Sequence, residues 1–168
     1  MPVGLPTPWR TISFAIAALA ALTFAVTTQK DWVLYNHSPS LPVGLYARTA
    51  APITRAAIVT VRAIDVAPEF ARQRHFTGPG DRFIKRVAAI AGDRVCANAD
   101  TLTINSRVVA HRARNDSMGQ TLPTWSGCRV LDAGDLLLLG DTSDSFDSRY
   151  WGVVSRRKIE GVWRPLRF

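Results

Sequence analysis

The chain reads as a mainly β domain of antiparallel strands behind a single N-terminal membrane anchor. An uncharged apolar run fills residues 12–28, and short stretches rich in β-branched residues recur through the remainder. Gly, Pro, Asn and Asp separate those stretches at intervals too short for long helices.

The anchor comes first in the chain. From Ile12 to Thr28 the only polar interruptions are Ser and Thr, and at the helical rise the run spans roughly 25 Å, short but sufficient for a bilayer. Arg10 precedes it, whereas Lys30 and Asp31 cancel behind it, a slight bias toward a cytoplasmic N-terminus. Trp9 and Trp32 fall where interfacial aromatics belong. Ala18-Leu19-Ala20 would suit a cleaved signal peptide, but the apolar run continues well past it, which favours a retained anchor. The chain thus divides into an anchor over residues 1–30 and a domain over residues 31–168.

Asp31 to Tyr35 reads as the exit from the membrane. Asn36 to Tyr46 holds Pro39, Pro42 and Gly44, which exclude a helix and impose an extended, turned path. The link from Thr28 is short enough to keep Ser40 within roughly 40 Å of the bilayer even when fully extended. Ala57 to Val61 predicts a strand, Val66 to Phe76 a short helix with Pro68 in its first turn, and Thr77 to Asp81 a turn. Arg82 to Ala91 follows as a strand whose alternation sets Phe83, Lys85, Val87 and Ala89 on one face. Beyond the Gly92-Asp93 turn, Arg94–Cys96, Thr101–Ile104 and Val108–His111 form a meander with a hairpin turn at Asn105-Ser106. Asn115 to Ser126 is polar and irregular. Arg129–Leu131 and Asp135–Leu139 flank another turn, and Val153–Leu166 has room for one or two closing strands.

The net charge of +8 comes from basic residues scattered singly, apart from Arg156-Arg157-Lys158, with no aromatic-basic repeat, so nucleic acid is not an expected partner. Attraction to anionic lipid headgroups accounts for the excess as well. The two cysteines, Cys96 and Cys128, lack the companions a zinc site needs. In an oxidising compartment they would form a disulfide; two free buried thiols are the other reading.

Of the 21 basic residues only Lys30, Lys85 and Lys158 are lysines. Burial disfavours an ammonium, so a lysine in an apolar row can act as a neutral base where an arginine could not. A lysine that snorkels out of a half-buried strand fits the same pattern. His37, His75 and His111 are the histidines available as conventional bases. His37 is too near Ser40 in sequence, and the other two lie in an expected helix and a surface strand.

Four ordered stretches carry a resemblance. They are Ser38-Pro39-Ser40-Leu41-Pro42-Val43-Gly44-Leu45-Tyr46, Phe83-Ile84-Lys85-Arg86-Val87, Gly92-Asp93-Arg94-Val95, and Gly140-Asp141 through Ser145-Phe146-Asp147-Ser148-Arg149-Tyr150-Trp151-Gly152. Together they resemble the boxes of the signal peptidase family of serine proteases. The spacing Asn36-x-Ser38-x-Ser40-x-Pro42-x-Gly44-Leu45-Tyr46 is similar to its conjugative, TraF-type branch. The resemblance implies Ser40 as nucleophile, Lys85 as general base, Ser38 in the oxyanion hole, Ser145 orienting Lys85, and Asp147 with Arg149 as a structural pair. It implies no metal and no organic cofactor. Implied partners are the bilayer and a secreted precursor, pilin-like or bearing a signal peptide, and the implied location is the bacterial inner membrane with the catalytic domain in the periplasm. Cleavage of a pilin subunit, with or without cyclisation, is the expectation; a general type I signal peptidase and a catalytically silent peptide-binding β module are the alternatives.

The Gly140-to-Ser145 stretch is one residue shorter than the family pattern, so no role passes to Asp141 or Thr142, and Leu41 stands where general secretory enzymes carry methionine. Asp141, Asp144 and Asp147 lack the alternating spacing of a calcium loop.

Overall fold

The computed structural model describes residues 12–14, 16 and 31–166. Ile12, Ser13, Phe14 and Ile16 are helical, and the rest of the expected anchor lies outside the described residues. Among these, no helix is long and apolar enough to cross a membrane. The chain divides into a unit over Met1–Trp32 and another over Val33–Phe168. The second carries everything below.

Its strands are β1 (Val33–Asn36), β2 (Gly44–Thr49), β3 (Ile58–Arg62), β4 (Arg82–Ala89), β5 (Arg94–Ala97), β6 (Thr101–Ile104), β7 (Arg107–His111), β8 (Gly127–Val130), β9 (Asp135–Leu139), β10 (Val154–Ser155) and β11 (Ile159–Pro165). They form a seven-stranded sheet in the order β1-β2-β11-β3-β4-β9-β10 and a four-stranded sheet in the order β7-β6-β5-β8. Every neighbouring pair is antiparallel. The mainly β, antiparallel reading of the sequence is therefore correct for this unit, and the two closing strands are β10 and β11.

Local chemistry explains most of the elements. Asn105 and Ser106 both take positive φ, as the tight β6–β7 hairpin requires, and they join strands whose twist such a turn matches. The leucine run of β9 is buried on both faces. Leu137 and Leu139 pack with Val95, Leu102 and Leu131 between the sheets, while Leu136 and Leu138 pack with Val59, Val61, Val87 and Val154 on the opposite side. A third cluster of Leu41, Tyr46, Ile58, Ile84 and Trp163 lies beneath β1 and β2. Cys96 and Cys128 face each other across β5 and β8 and are joined by a disulfide.

Three expectations need correction. Val33–Asn36 and Gly44–Thr49 pair as a hairpin, where the sequence reading has only an exit segment and an extended path. The single helix over Val66–Phe76 is replaced by α1 (Ala63–Val66) and α2 (Pro68–Gln73). Ala67, the residue before Pro68, sits at φ −143° and ψ 65°, because the proline ring disfavours helical backbone just before it. In β4 the alternation breaks at an irregularity between Val87 and Ala89, so Val87 joins one core and Ala89 the other.

The junction between the sheets turns on Asp93. Its carboxylate accepts from Arg55 Nη2 at 2.9 Å, the Ile90 N–H at 2.9 Å and Asn105 Nδ2 at 2.8 Å. Arg55 first, then the Ile90 and Asn105 donors, hold the carboxyl down at about 2 against the cost of burial. A depressed carboxyl contributes stability that is complete above the unfolded value and disappears as pH falls through the folded one. Asp93→Asn is accordingly expected to cost about 1–2 kcal/mol at pH 7, the Arg55 side being open to solvent screening. In urea titrations that difference should vanish as pH falls below 3.8 toward about 2.

Candidate active site

A turn at Pro39-Ser40 leaves the end of β1, and the side chain of Asn36, the last residue of β1, holds it. Asn36 is buried; its Nδ2 donates to the carbonyls of Ser38 at 2.9 Å, Leu41 at 3.0 Å and Pro42 at 3.1 Å, while its Oδ1 accepts the Ser38 N–H at 3.1 Å. Leu41 fixes the turn from below as a fully buried core residue, and Tyr46 donates its hydroxyl to the Pro42 carbonyl at 2.6 Å. The Ser40 side chain is thereby aimed at β4 rather than at solvent, with only 5% of the residue exposed.

Lys85 approaches from β4, where it lies opposite Val59 of β3. Its Nζ stands 2.8 Å from Ser40 Oγ and 3.2 Å from Ser145 Oγ, and the residue is 4% exposed. Phe83, on the same face of β4, places its ring centroid 5.9 Å from the amine. Burial is the main reason that the lysine is depressed from 10.5 to about 8; Asp147, Asp141 and Asp144 oppose the shift and Arg149 adds to it. Ser38 completes the hydroxyl group: its Oγ donates to Ser40 Oγ at 3.1 Å and accepts the Ser40 N–H at 3.3 Å.

The third wall is the Gly140–Gly152 segment. Asp147 is fully buried and caps α3 (Ser148–Trp151) by accepting the Arg149 N–H at 3.0 Å. Its other oxygen accepts the Gly140 N–H at 2.8 Å and Arg149 Nη2 at 2.9 Å. Arg149, equally buried, also donates to the carbonyls of Thr142 and Ser143. Burial pushes the Asp147 carboxyl up from its ordinary value, against the pull of Arg149 and the two N–H donors. This pair closes the loop into a ring of hydrogen bonds that sets Ser145 against Lys85. Ser148 joins the ring to the strands by accepting the Leu138 N–H and Trp151 Nε1, both at 3.0 Å. Phe146 and Trp151 cover it, packing at 5.2 Å between ring centroids.

The structure thus brings Ser38, Ser40, Lys85 and Ser145 into one hydrogen-bonded group, with Asp147 and Arg149 behind Ser145. His37, His75 and His111 are all exposed and hold no position in it. Among the described residues no cluster of His, Cys, Asp or Glu is arranged to hold a metal ion.

Three contributors escape the sequence reading. Asn36 is one; it stands in the Asn36-x-Ser38-x-Ser40 spacing, but the sequence reading gives it no role. Gly140 is another, since a Cβ there would stand 1.9 Å from Ser145 Oγ and 2.9 Å from the Ser40 carbonyl. Asp141 is the third: its N–H donates to the Ser40 carbonyl at 2.6 Å, and its carboxylate takes both Arg86 Nε at 2.9 Å and Nη2 at 2.7 Å. Both Gly140 and Asp141 open the fourth of the ordered stretches, but its one-residue shortening leaves Asp141 without a role in the sequence reading.

A cavity of about 350 Å³ opens beside Ser40 and Lys85, bounded by Leu34, Tyr35 and Asn36 of β1 and by Phe83 and Ile84 of β4. β1 ends the larger sheet, so its outer edge can pair with an extended peptide.

The buried amine predicts an unusual stability profile. Folding loosens the lysine's proton, so the cost of burying it is complete below about pH 8 and fades as pH rises to 10.5. Lys85→Met should stabilise the fold by on the order of 2 kcal/mol at pH 7. Thermal unfolding at a series of pH values should show that gain shrinking above about pH 8. Equal destabilisation at neutral and alkaline pH would mean that the lysine is held charged.

The chain is similar to known proteins. The family model described as signal peptidase, peptidase S26, matches residues 8–166. A plasmid transfer protein TraF from Escherichia coli is 34% identical over 163 residues, covering 90% of this chain and 92% of that protein. A second Escherichia coli protein of the same name is 32% identical over 162 residues, covering 90% and 91%. A crystal structure of a signal peptidase I from Enterococcus faecalis aligns over 68% of this chain and 98% of that one, at 25% identity and a TM-score of 0.39. On the match that spans nearly its whole length, the chain belongs to the signal peptidase family, peptidase S26.

Proposed function

We propose that the protein is a membrane-anchored serine endopeptidase that works through a Ser40/Lys85 dyad and cleaves a secreted, membrane-inserted precursor. The observation that carries the proposal is the 2.8 Å contact between a buried Lys85 amine and Ser40 Oγ. With about 8 as its folded value, roughly a tenth of the lysine is neutral at pH 7. That fraction can take the Ser40 proton as Oγ attacks the scissile carbonyl. Lys85 then returns the proton to the leaving amine, and water activated by the same lysine releases the acyl-enzyme. The Ser38 hydroxyl and the Ser40 N–H, which occupy each other in the free protein, turn to the developing oxyanion.

Similarity to the plasmid transfer proteins TraF supports a role in conjugation, with a pilin subunit as the precursor. Residues 1–30 serve as the anchor and residues 31–168 as the catalytic domain, on the periplasmic side of the bacterial inner membrane. In support, Ile12, Phe14 and Ile16 leave their apolar side chains exposed. The open edge of β1 supports binding of the substrate as an added strand.

Co-expression with a candidate pilin precursor tests the assignment. Ser40→Ala and Lys85→Arg should each leave the precursor uncut, as read by mass spectrometry, which also separates a linear product from a cyclic one lighter by a water. Processing by both variants would remove the dyad from the mechanism. The rate of the wild-type protein on a cleaved peptide should rise through about pH 8 to an alkaline plateau. Gly140→Ala should leave a folded protein slowed by about 100-fold, because displacing Ser145 and the Ser40 carbonyl misplaces the dyad.

A further inference from the structure

The cavity along β1 accounts for one side of the bond to be cut. A second cavity, of about 160 Å³, begins at Ser40 and Lys85 and extends the other way over Thr142, Asp144 and Phe146. Across Asp144 and Phe146 it adjoins a third, of about 200 Å³, whose apolar walls are Phe70 of α2, Ala113 just before the irregular segment and Leu122 within it, and Phe146 and Tyr150 of the site segment, with Arg74, Asn115, Asp116 and Ser117 at its rim. The dyad therefore stands between a strand edge and a track that ends in an apolar chamber. None of the residues lining this track belongs to an edge strand, so side-chain fit rather than strand pairing would select a peptide there.

The chamber is built rather than incidental. Phe146 stacks on Phe70 with ring centroids 3.8 Å apart and lies 5.6 Å from Tyr150. Tyr150 accepts the Ala113 N–H on its hydroxyl at 3.1 Å, tying the irregular segment to α3. Two of the three charges at the rim are engaged with each other: Arg74 pairs with Asp116, donates to Gln120 at 2.9 Å, and lays its guanidinium over Phe70 at 4.9 Å, while Asp144, at the mouth shared with the second cavity, is hydrogen-bonded to the Thr142 side chain. With the rim cation so committed and aromatic and aliphatic walls inside, the space suits an uncharged aliphatic side chain of leucine size.

We infer that this chamber is a specificity pocket that takes a leucine-sized apolar side chain of the substrate, from the segment across the scissile bond from the part paired along β1. The inference rests on the peptidase reading above and deepens it.

The full-length protein in detergent and alanine-based peptides test it. Peptides carry Ala, Leu, Phe, Glu or Lys at each of the first three positions on either side of the bond that the wild type cuts. At one position on the side away from β1, Leu should exceed Ala, Glu and Lys by about tenfold in kcat/KM. Affinity for full-length Ser40→Ala, which reads the pocket without turnover, should show the same order. Leu122→Trp should abolish the Leu advantage by filling the chamber, and Leu122→Ala should transfer it to Phe by enlarging it. A flat profile in the affinity measurement, or a Leu preference unchanged in both Leu122 variants, would overturn the pocket. Failure of the peptidase reading would look different: Ser40→Ala would still cut, whatever the affinities.

Discussion

An amine that must be able to give up its charge while close to water and to a hydroxyl is the constraint on which this structure depends. Lys85 can lose its charge only where burial withdraws solvent, and a buried lysine with no polar contact would pull away from its strand toward water. The structure meets both demands by presenting hydroxyls alone to the amine, Ser40 at 2.8 Å and Ser145 at 3.2 Å. The two charges that act on it most strongly, Asp147 and Arg149, are turned upon each other. A carboxylate in direct contact would have fixed the ammonium form.

Holding two hydroxyls in place from separate parts of the chain requires two rigid loops, and each has its own polar centre. Asn36 binds four backbone groups around the Ser38–Ser40 turn. Asp147 and Arg149 bind the Gly140–Ser145 segment from inside. The loops then join directly through the Asp141 N–H and the Ser40 carbonyl, with Arg86 clamping the Asp141 carboxylate beside the base. Gly140 makes that approach possible, since no side chain fits between Ser145 and the Ser40 carbonyl. The site is therefore one network in which Lys85, Ser40 and their supports share neighbours, and substitutions within it should not act additively.

The strands supply the rigidity beneath this network. β9 lies next to β4 in the larger sheet and buries leucines on both faces, so it serves both cores at once. Its end leads straight into Gly140, so the site segment starts from one of the most firmly packed places in the fold. The smaller sheet, stapled by Cys96–Cys128, connects through the Asp93 turn and stands clear of the dyad.

By itself the sequence determined the mainly antiparallel β character and most turns, and it picked out Ser40, Lys85, Ser145, Asp147 and Arg149, which the fold brings together. Alternation, turn residues and ordered boxes are local properties that a linear reading can hold. It put most of β1 in an exit segment and the start of β2 in an extended path, because Pro39 and Pro42 look alike in a loop and in a turn joining paired strands. It ran one helix through Ala67, where the constraint imposed by Pro68 outweighed helical periodicity. Only the tertiary structure decided that Lys85 meets Ser40, that Asn36 and Asp141 hold the backbone around Ser40, that Gly140 must lack a side chain, and that a chamber opens beyond Phe146. Each of these depends on the approach of residues from distant strands, and the distance between two side chains is set by strand order and packing rather than by spacing along the chain.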